Sequence, residues 1–149
     1  TLLNIMIRIM SGADTTVAAL DAERMKLEVI SQNIANANVT STPEGGPYKR
    51  KQVVFESVMN EAFKSQDGKN EAPMMVKVGK VETDETPGIK IFDPNHPDRD
   101  ADDYVTLSNV NIHEEMVDMI MASRAYEANL SAMKYARSMA VQTLRIGRS

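Results

Sequence analysis

The residues best suited to chemistry in this 149-residue chain lie in an acidic loop, "DPNHPDRDADD", at positions 93–103. Alternating carboxylate and amide oxygens are what a calcium-binding loop of the EF-hand type supplies. Read from Asp98, however, the D-x-D-x-D spacing places Asp103 where that loop needs Gly and Asn109 where it needs a bidentate Glu. The sequence therefore predicts a solvated turn held by its prolines and by Asx-type hydrogen bonds. The rival interpretation, an enzyme with a metal site, rests on this loop alone.

A second stretch, His113-Glu114-Glu115, resembles the first half of the zinc motif H-E-x-x-H, but Val117 occupies the position of the second His. The other histidine, His96, lies in a turn between two prolines, and no Ser is framed as G-x-S-x-G. We predict no catalytic residue, no metal site and no cofactor. The chain is therefore not expected to be an enzyme with a small-molecule substrate.

Composition excludes a further class of function. The net charge of −4, the absence of Trp and the few aromatic side chains leave no basic, stacking surface for nucleic acid. Because the chain has no Cys, it forms no disulfide, and cysteine usage leaves its compartment open. The apolar start, "TLLNIMIRIM", contains Arg8 and is too short for a membrane span and unlike a signal peptide.

The positions of proline divide the chain. All six prolines lie between Pro43 and Pro97, which permits long helices at both ends and disfavours them between. We predict a discontinuous terminal helical domain from residues 1–42 and 108–149. The middle, residues 43–107, is predicted to be a small β-rich region with loops.

Apolar residues at helical spacing support both terminal helices. In the first, Ser11 with Asp14 resembles a capping box, so the helix is expected to start afresh there, after a separate or flexible lead of ten residues, and to end near Ala37. In the second, Asn111 is the expected cap and Gly147 the expected stop.

Short β-strands are predicted for the middle region. The four segments are YKRKQVVFESV from Tyr48, MMVKVGKV from Met74, IKIF from Ile89 and DYVTL from Asp103. Residues 56–64 are open to a short helix instead, and residues 64–73, "KSQDGKNEAP", are expected to be a poorly ordered tip.

The two terminal apolar stripes are too long to be covered by a small middle region, so each is expected to cover the other. This predicts an α+β fold in which the long N- and C-terminal helices form a coiled-coil-like pair beside a β-rich lobe. A lone pair still exposes apolar surface, so further helices from identical or related chains are expected to complete the burial. The Met-rich face of the second helix is interpreted as packing rather than as a cofactor site.

Three segments resemble a known family. "ERMKLEVISQNIANANVTST" (residues 23–42) is similar to the N-terminal signature of flagellar rod and hook proteins. "GGPYKRKQVVFE" (residues 45–56) and the stretch from Asp93 to Leu130 resemble the proximal-rod members of the flagellar basal-body rod family. The resemblance covers nearly the whole chain from about residue 20 onward, and it weakens at the start.

The resemblance implies a structural protein of the bacterial flagellum. It implies export by the flagellar export apparatus without a cleaved signal peptide, and polymerisation with itself and other rod proteins into a helical, periplasmic tube that transmits torque. The alternative is a soluble helical adaptor or export chaperone. We predict that the assembly interface includes apolar stripe residues and two amides: Leu20, Leu27, Asn33, Ile34, Asn36, Met116, Met119, Tyr126, Leu130, Met133 and Leu144. For the amides, local capping of the helix end is the competing interpretation.

Overall fold

The computed structural model describes residues 2–59 and 74–146. In chain order, the elements are α1 (Leu2–Asn36), β1 (Lys51–Met59), β2 (Met74–Thr83), β3 (Lys90–Phe92), β4 (Tyr104–Thr106) and α2 (Ile112–Ile146). Two long terminal helices therefore flank a β-rich middle region, and the predicted α+β class is confirmed.

The first helix is continuous from Leu2, so the predicted start at Ser11 is wrong. No proline interrupts the segment, and a single Gly inside a helix is tolerated at a cost of about 1 kcal/mol. The hydroxyls of Thr15 and Thr16 donate to the carbonyl of Gly12 at 2.9 and 2.8 Å. These bonds run back along the helix from residues just after the expected start, and Ser11 and Asp14 themselves lie inside α1.

The C-terminal end of α1 and the N-terminal end of α2 agree with prediction. The first helix ends at Asn36, one residue before the expected end. At the second, Asn111 accepts a hydrogen bond through Oδ1 from the backbone N–H of His113 at 3.1 Å, which confirms it as the cap. The predicted stop at Gly147 lies outside the described residues.

The four strands form two separate two-stranded sheets, β1 with β2 and β3 with β4. The second pair is antiparallel, with Ile91 opposite Val105. All four predicted strands are confirmed. The chain is extended through Met59, so the described part of the alternative helix at 56–64 is strand, and the predicted tip at 64–73 lies outside the described residues.

The acidic loop is a set of Asx turns, as predicted. The Asp100 carboxylate accepts the backbone N–H groups of Tyr104 at 2.9 Å and Asp102 at 3.0 Å. The hydrogen bond from Tyr104 is the main reason that the pKa of Asp100 lies below its ordinary value. Nowhere in residues 2–59 and 74–146 do three or more His, Cys, Asp or Glu side chains converge as a metal site would require.

Contacts between Cα atoms group the chain into two compact units. Unit 1 comprises Thr1–Met25, Phe55–Gly79 and Ala122–Ser149, and unit 2 comprises Lys26–Val54 and Lys80–Met121. Each unit thus receives a segment of both helices. Small side chains, Ala22 and Ala122, are buried in unit 1, whereas the buried residues of unit 2 include Val29, Ile30 and Val105.

Gly88 is required at the open end of the β3–β4 hairpin, just before β3 begins. A Cβ at this position would overlap the backbone carbonyl of Leu107, which cannot move away without shifting β4. We expect Gly88→Ala to lower the free energy of unfolding by about 1–3 kcal/mol, the usual cost of overpacking. Thermal denaturation measures the loss, and amide exchange at Leu107, which donates to Ile89 at 2.8 Å, localises it.

Gly79→Ala is the matched control. Its Cβ would meet the side chain of Glu56, which is exposed and free to rotate, rather than backbone. A change within about 0.5 kcal/mol is expected for this substitution. Equal losses for Gly79→Ala and Gly88→Ala would show that the close approach to Leu107 does not constrain the hairpin.

Candidate functional site

A buried polar cluster in unit 2 joins the end of α1 to the start of α2. Its centre is Asn33, which is 1% exposed. The amide nitrogen donates to the carbonyl of Lys51 at 2.8 Å and to Glu115 Oε2 at 2.9 Å. The amide oxygen accepts the backbone N–H of Lys51 at 2.9 Å and the hydroxyl of Tyr48 at 3.0 Å. Both N–H groups and both acceptor sites of the amide are thus used.

Asn33 binds the backbone of Lys51 in the way a neighbouring β-strand would. One side-chain amide satisfies both the N–H and the C=O of the same residue. This pairing fixes where the chain lies at the first residue of β1. A carbon side chain at position 33 would leave both backbone groups without these partners.

The carboxylate of Glu115 lies on the other side of Asn33 and is completely buried. Its second oxygen, Oε1, accepts from Arg50 Nε at 2.6 Å. The same guanidinium approaches Asp118, one turn further along α2, at 3.6 Å. A buried carboxylate is tolerated here because each oxygen has a donor and one donor is a cation.

The backbone of Arg50 is held as firmly as its side chain. Its N–H donates to Asn109 Oδ1 at 2.6 Å, and its carbonyl accepts the N–H of Asp84 at 2.8 Å. Asn109 in turn donates to the carbonyls of Asp84 and Thr86, both at 3.0 Å. The segment 48–51 is therefore bonded to both helices and to the chain that leaves β2.

Burial and the charges of the cluster together shift two pKa values. Burial lowers the pKa of Arg50, but the hydrogen bond to Glu115 and the carboxylates of Glu115, Asp118 and Asp84 outweigh it, so the pKa is raised. Burial, followed by the charge of Glu115, raises the pKa of the Tyr48 phenol above its ordinary 10.0.

The raised pKa of Tyr48 predicts a loss of stability in alkaline solution. The folded state holds this proton more tightly than the unfolded chain, whose tyrosine pKa is about 10. The stabilisation is complete below that pH and disappears as the pH rises through the higher pKa of the folded state. Denaturant titrations between pH 9 and pH 11 should show a smaller decline for Tyr48→Phe than for the unsubstituted chain, and equal declines would contradict the assignment.

The arrangement positions three segments of the chain, the end of α1, residues 48–51 and the start of α2. The Glu115 carboxylate faces partners that neutralise it, and the Tyr48 hydroxyl donates its proton to an amide oxygen. We call the set Asn33, Tyr48, Arg50, Asn109 and Glu115 the polar clamp.

The predicted assembly residues fall into three groups. Asn33 is buried, while most of the others are half-buried, with Met116 and Leu144 50% and 58% exposed. The half-buried set comprises Leu20, Leu27, Ile34, Asn36, Met119, Tyr126, Leu130 and Met133. That these residues form an interface between subunits stays a prediction.

The two amides differ in what they bind. Asn36 donates to the carbonyl of Gln32 at 2.8 Å, a local bond along the helix. The bonds of Asn33 reach positions 48, 51 and 115 of its own chain. Within the single chain, Asn33 is therefore an internal connector, and a bond from it to a neighbouring subunit would require one of these bonds to open.

Sequence reasoning found Asn33 but not the rest of the polar clamp. Glu115 lies in the first turn of α2, where an acidic residue is expected to favour the helix dipole. The signal that it is buried was its spacing: Glu115 precedes Met119 and Ala122 by four and seven residues, on the face that packs inward. Arg50 had no such signal.

Large apolar side chains stay exposed along α2. In unit 2 they include Val117, Ile120 and Met121, each more than half exposed. The described helices contain no segment long and apolar enough to cross a membrane. Soluble monomers rarely expose such a contiguous apolar surface, so this face of α2 is a candidate surface for protein contact.

Comparison with known proteins gives the class. The family model described as "Flagella basal body rod protein" matches residues 14–41, and the one described as "Flagellar basal body rod FlgEFG protein C-terminal" matches residues 101–146. The two matched ranges contain three residues of the polar clamp: Asn33 in the first, and Asn109 and Glu115 in the second. Both ends of the chain thus match proteins of the flagellar rod.

Individual relatives indicate which member of the rod proteins the chain resembles. The flagellar basal-body rod proteins FlgC of Borreliella burgdorferi and Bacillus subtilis are 40% and 35% identical to the chain, each over 91% of this chain and 95% of the relative. That of Escherichia coli O6:H1 is 37% identical over 90% of this chain and 94% of the relative. The chain belongs to the FlgC family of flagellar basal-body rod proteins, which confirms the resemblance noted in the sequence.

Proposed function

We propose that this chain is a structural subunit of the proximal flagellar rod, where copies of it and of other rod proteins form a helical tube that transmits torque from motor to hook. The observation that carries the proposal is the similarity to FlgC proteins along nearly the whole chain. The exposed apolar face of α2 supports it, because a polymer covers surface that the single chain leaves open.

The proposed mechanism is mechanical, and no bond is made or broken. Subunits that meet through two different surfaces build an open helix instead of a closed ring. Torque then passes through helix contacts, and the polar clamp keeps β1 and both helices fixed to one another under load. The discontinuous terminal helical domain, residues 1–42 and 108–149, is proposed as the assembly element, and residues 43–107 as a side lobe.

The interface between subunits is proposed to use the predicted assembly residues of both helices, from Leu20 to Leu144. Neighbouring rod proteins are the proposed partners. Burying apolar surface yields about 25 cal/mol per Å², which offsets the cost of ordering the subunits. Delivery to the periplasm is proposed to use the flagellar export apparatus, without a cleaved signal peptide. No cofactor, nucleic acid or small-molecule substrate is required.

Deletion and complementation test the function. In the source bacterium, deletion of the gene should abolish swimming and leave basal bodies without a complete rod, and the intact gene should restore both. Electron microscopy of purified basal bodies gives the measurement. Complete rods in the deletion strain would overturn the proposal, as would a protein that never copurifies with basal bodies. The latter result is what a cytoplasmic export chaperone predicts.

A further inference from the structure

An exposed stripe of charge runs along the part of α1 in unit 1. Asp14, Asp21 and Arg24 are exposed and fall within about 80° of one another on the helix, given 100° per residue. Val17 lies within the same arc and is 40% exposed. Along the chain the charges read minus, minus, plus. We call these four residues the α1 stripe.

A second exposed stripe in unit 1 has the opposite charges. Glu127, Lys134 and Arg137 of α2 are exposed and also lie within about 80° of arc. Read from the C-terminal side, their charges are plus, plus, minus. We call these three residues the α2 stripe. The ends of each stripe are ten residue steps apart, or about 15 Å along the helix.

The two stripes match when the helices lie antiparallel. Placing Asp14 opposite Arg137 puts Arg24 opposite Glu127 in the same register. Asp21 then lies about one helical turn from Lys134, within reach of that long side chain. Opposite charges in register on adjacent helices select partner and orientation.

In the described part of the chain, neither stripe takes part in an ion pair. Among residues 2–59 and 74–146, the ion pairs involve other side chains. The helix dipole does not explain the stripes either. The first turn of α1 contains no acidic residue, and the basic residue in the last turn of α2 is Arg145. The charges of Asp14 and Arg137 lie further inside their helices, where the dipole has little effect.

An apolar cleft borders the α2 stripe. Its volume is about 520 Å³, and it is lined by Ala13 of α1 and by Leu130, Met133, Lys134, Ala136, Arg137 and Ala140 of α2. Three of the seven lining residues are alanines, so the space is open because the side chains are small. A cleft between two helices with a charged edge is suited to a third amphipathic helix.

We propose that the α1 stripe of one subunit docks antiparallel along the α2 stripe of the next copy of this chain, with Val17 entering the apolar cleft. The inference rests on the proposed function and adds the contact between like subunits. The α1 stripe and the α2 stripe that complement each other belong to the same sequence. A second copy of this chain is therefore the partner that binds along the α2 stripe and the cleft. Because the two surfaces are different, each subunit has one of each kind left to continue the chain, as an open helical assembly requires.

The energy of this contact is divided between the cleft and the charges. Exposed ion pairs contribute about 0–1 kcal/mol each, so three pairs set register more than affinity. Burial of Val17 and the cleft walls supplies the apolar part. Reversing one stripe replaces attraction with repulsion between like charges at the same positions.

Charge reversal tests the contact in cells. One variant carries Asp14→Lys with Asp21→Lys, and a second carries Lys134→Glu with Arg137→Glu. All four side chains are exposed, so folding should be retained, and circular dichroism of the purified variants checks it. Each variant alone, in the deletion strain, should reduce the number of complete rods about tenfold or more, because like charges then meet at the contact.

Restoration identifies the partner. Co-expression of the two variants should restore rods, because each variant's altered stripe meets the complementary altered stripe of the other. A single chain with all four substitutions should also assemble, since every contact is again between opposite charges. Glu44→Lys and Lys77→Glu, at exposed positions outside both stripes, serve as controls and should assemble normally.

Two results would overturn the inference. If each reversed variant builds rods as the unsubstituted gene does, the stripes are solvated faces. If each fails and neither co-expression nor the four-substitution chain restores rods, the stripes contact a different rod protein. Failure of the unsubstituted gene to restore rods would instead contradict the proposed function.

Discussion

Replacement of Asn33 by Ala is expected to lower the free energy of unfolding by about 3–4 kcal/mol. The substitution removes four hydrogen bonds at a site that is 1% exposed. The part-buried backbone N–H and C=O of Lys51 and one oxygen of the buried Glu115 would lose these partners, and each such group left unsatisfied costs up to about 1–3 kcal/mol. Partial entry of water limits the total.

Equilibrium denaturation of the purified protein measures this loss, with Asn36→Ala as the matched control. Asn36 is the same residue type, three positions further along the same helix, and makes one local bond to Gln32. Its replacement should cost less than about 1 kcal/mol. Similar costs for the two substitutions would mean that the bonds of Asn33 do not hold β1 against the helices.

The same pair separates two explanations of a motility defect. If Asn33 acts within its own chain, Asn33→Ala weakens the isolated protein and the rod together. If it acts between subunits, as the sequence alone also allowed, the isolated protein keeps its stability and the rod is lost. Denaturation and swimming assays on one variant therefore distinguish these roles.

Local patterns allowed the class of the fold to be predicted. The restriction of proline to positions 43–97 and the apolar periodicity at both ends located the two helices, and Asn111 located the start of the second. These features depend on residues close in sequence, where spacing determines structure. The same logic failed at Ser11, because a cap signal is weak against a helical segment with no proline to break it.

The polar clamp was predictable in part. The cluster of amides after Ser31 drew attention to Asn33, since one Asn is enough to end a helix and this chain has several. Its partners at positions 48, 51 and 115 lie far along the chain. Contacts of this kind depend on how the elements pack, so no local spacing indicates them.

Arg50 and Glu115 show the limit most clearly. In the sequence, Arg50 lies between two lysines and has the appearance of a solvated cation. In the structure it is the charge partner of a carboxylate with no exposed surface. Arg50 has this role because Glu115 is buried. Burial depends on how the whole chain packs, so the sequence around Arg50 does not indicate it.

Arg50 and its neighbour Lys49 each form an ion pair, one with a buried carboxylate and one with an exposed carboxylate, so substitutions of the two can be compared directly. Arg50→Met should lower the free energy of unfolding by about 3 kcal/mol, because it leaves the buried carboxylate of Glu115 without its cation while keeping most of the apolar stem. Lys49→Met breaks the ion pair with Glu85, whose side chains are 48% and 71% exposed, and should cost at most about 1 kcal/mol. Urea denaturation at pH 7 compares them. A loss for Arg50→Met no larger than that for Lys49→Met would show that the Glu115 carboxylate is accommodated without the guanidinium.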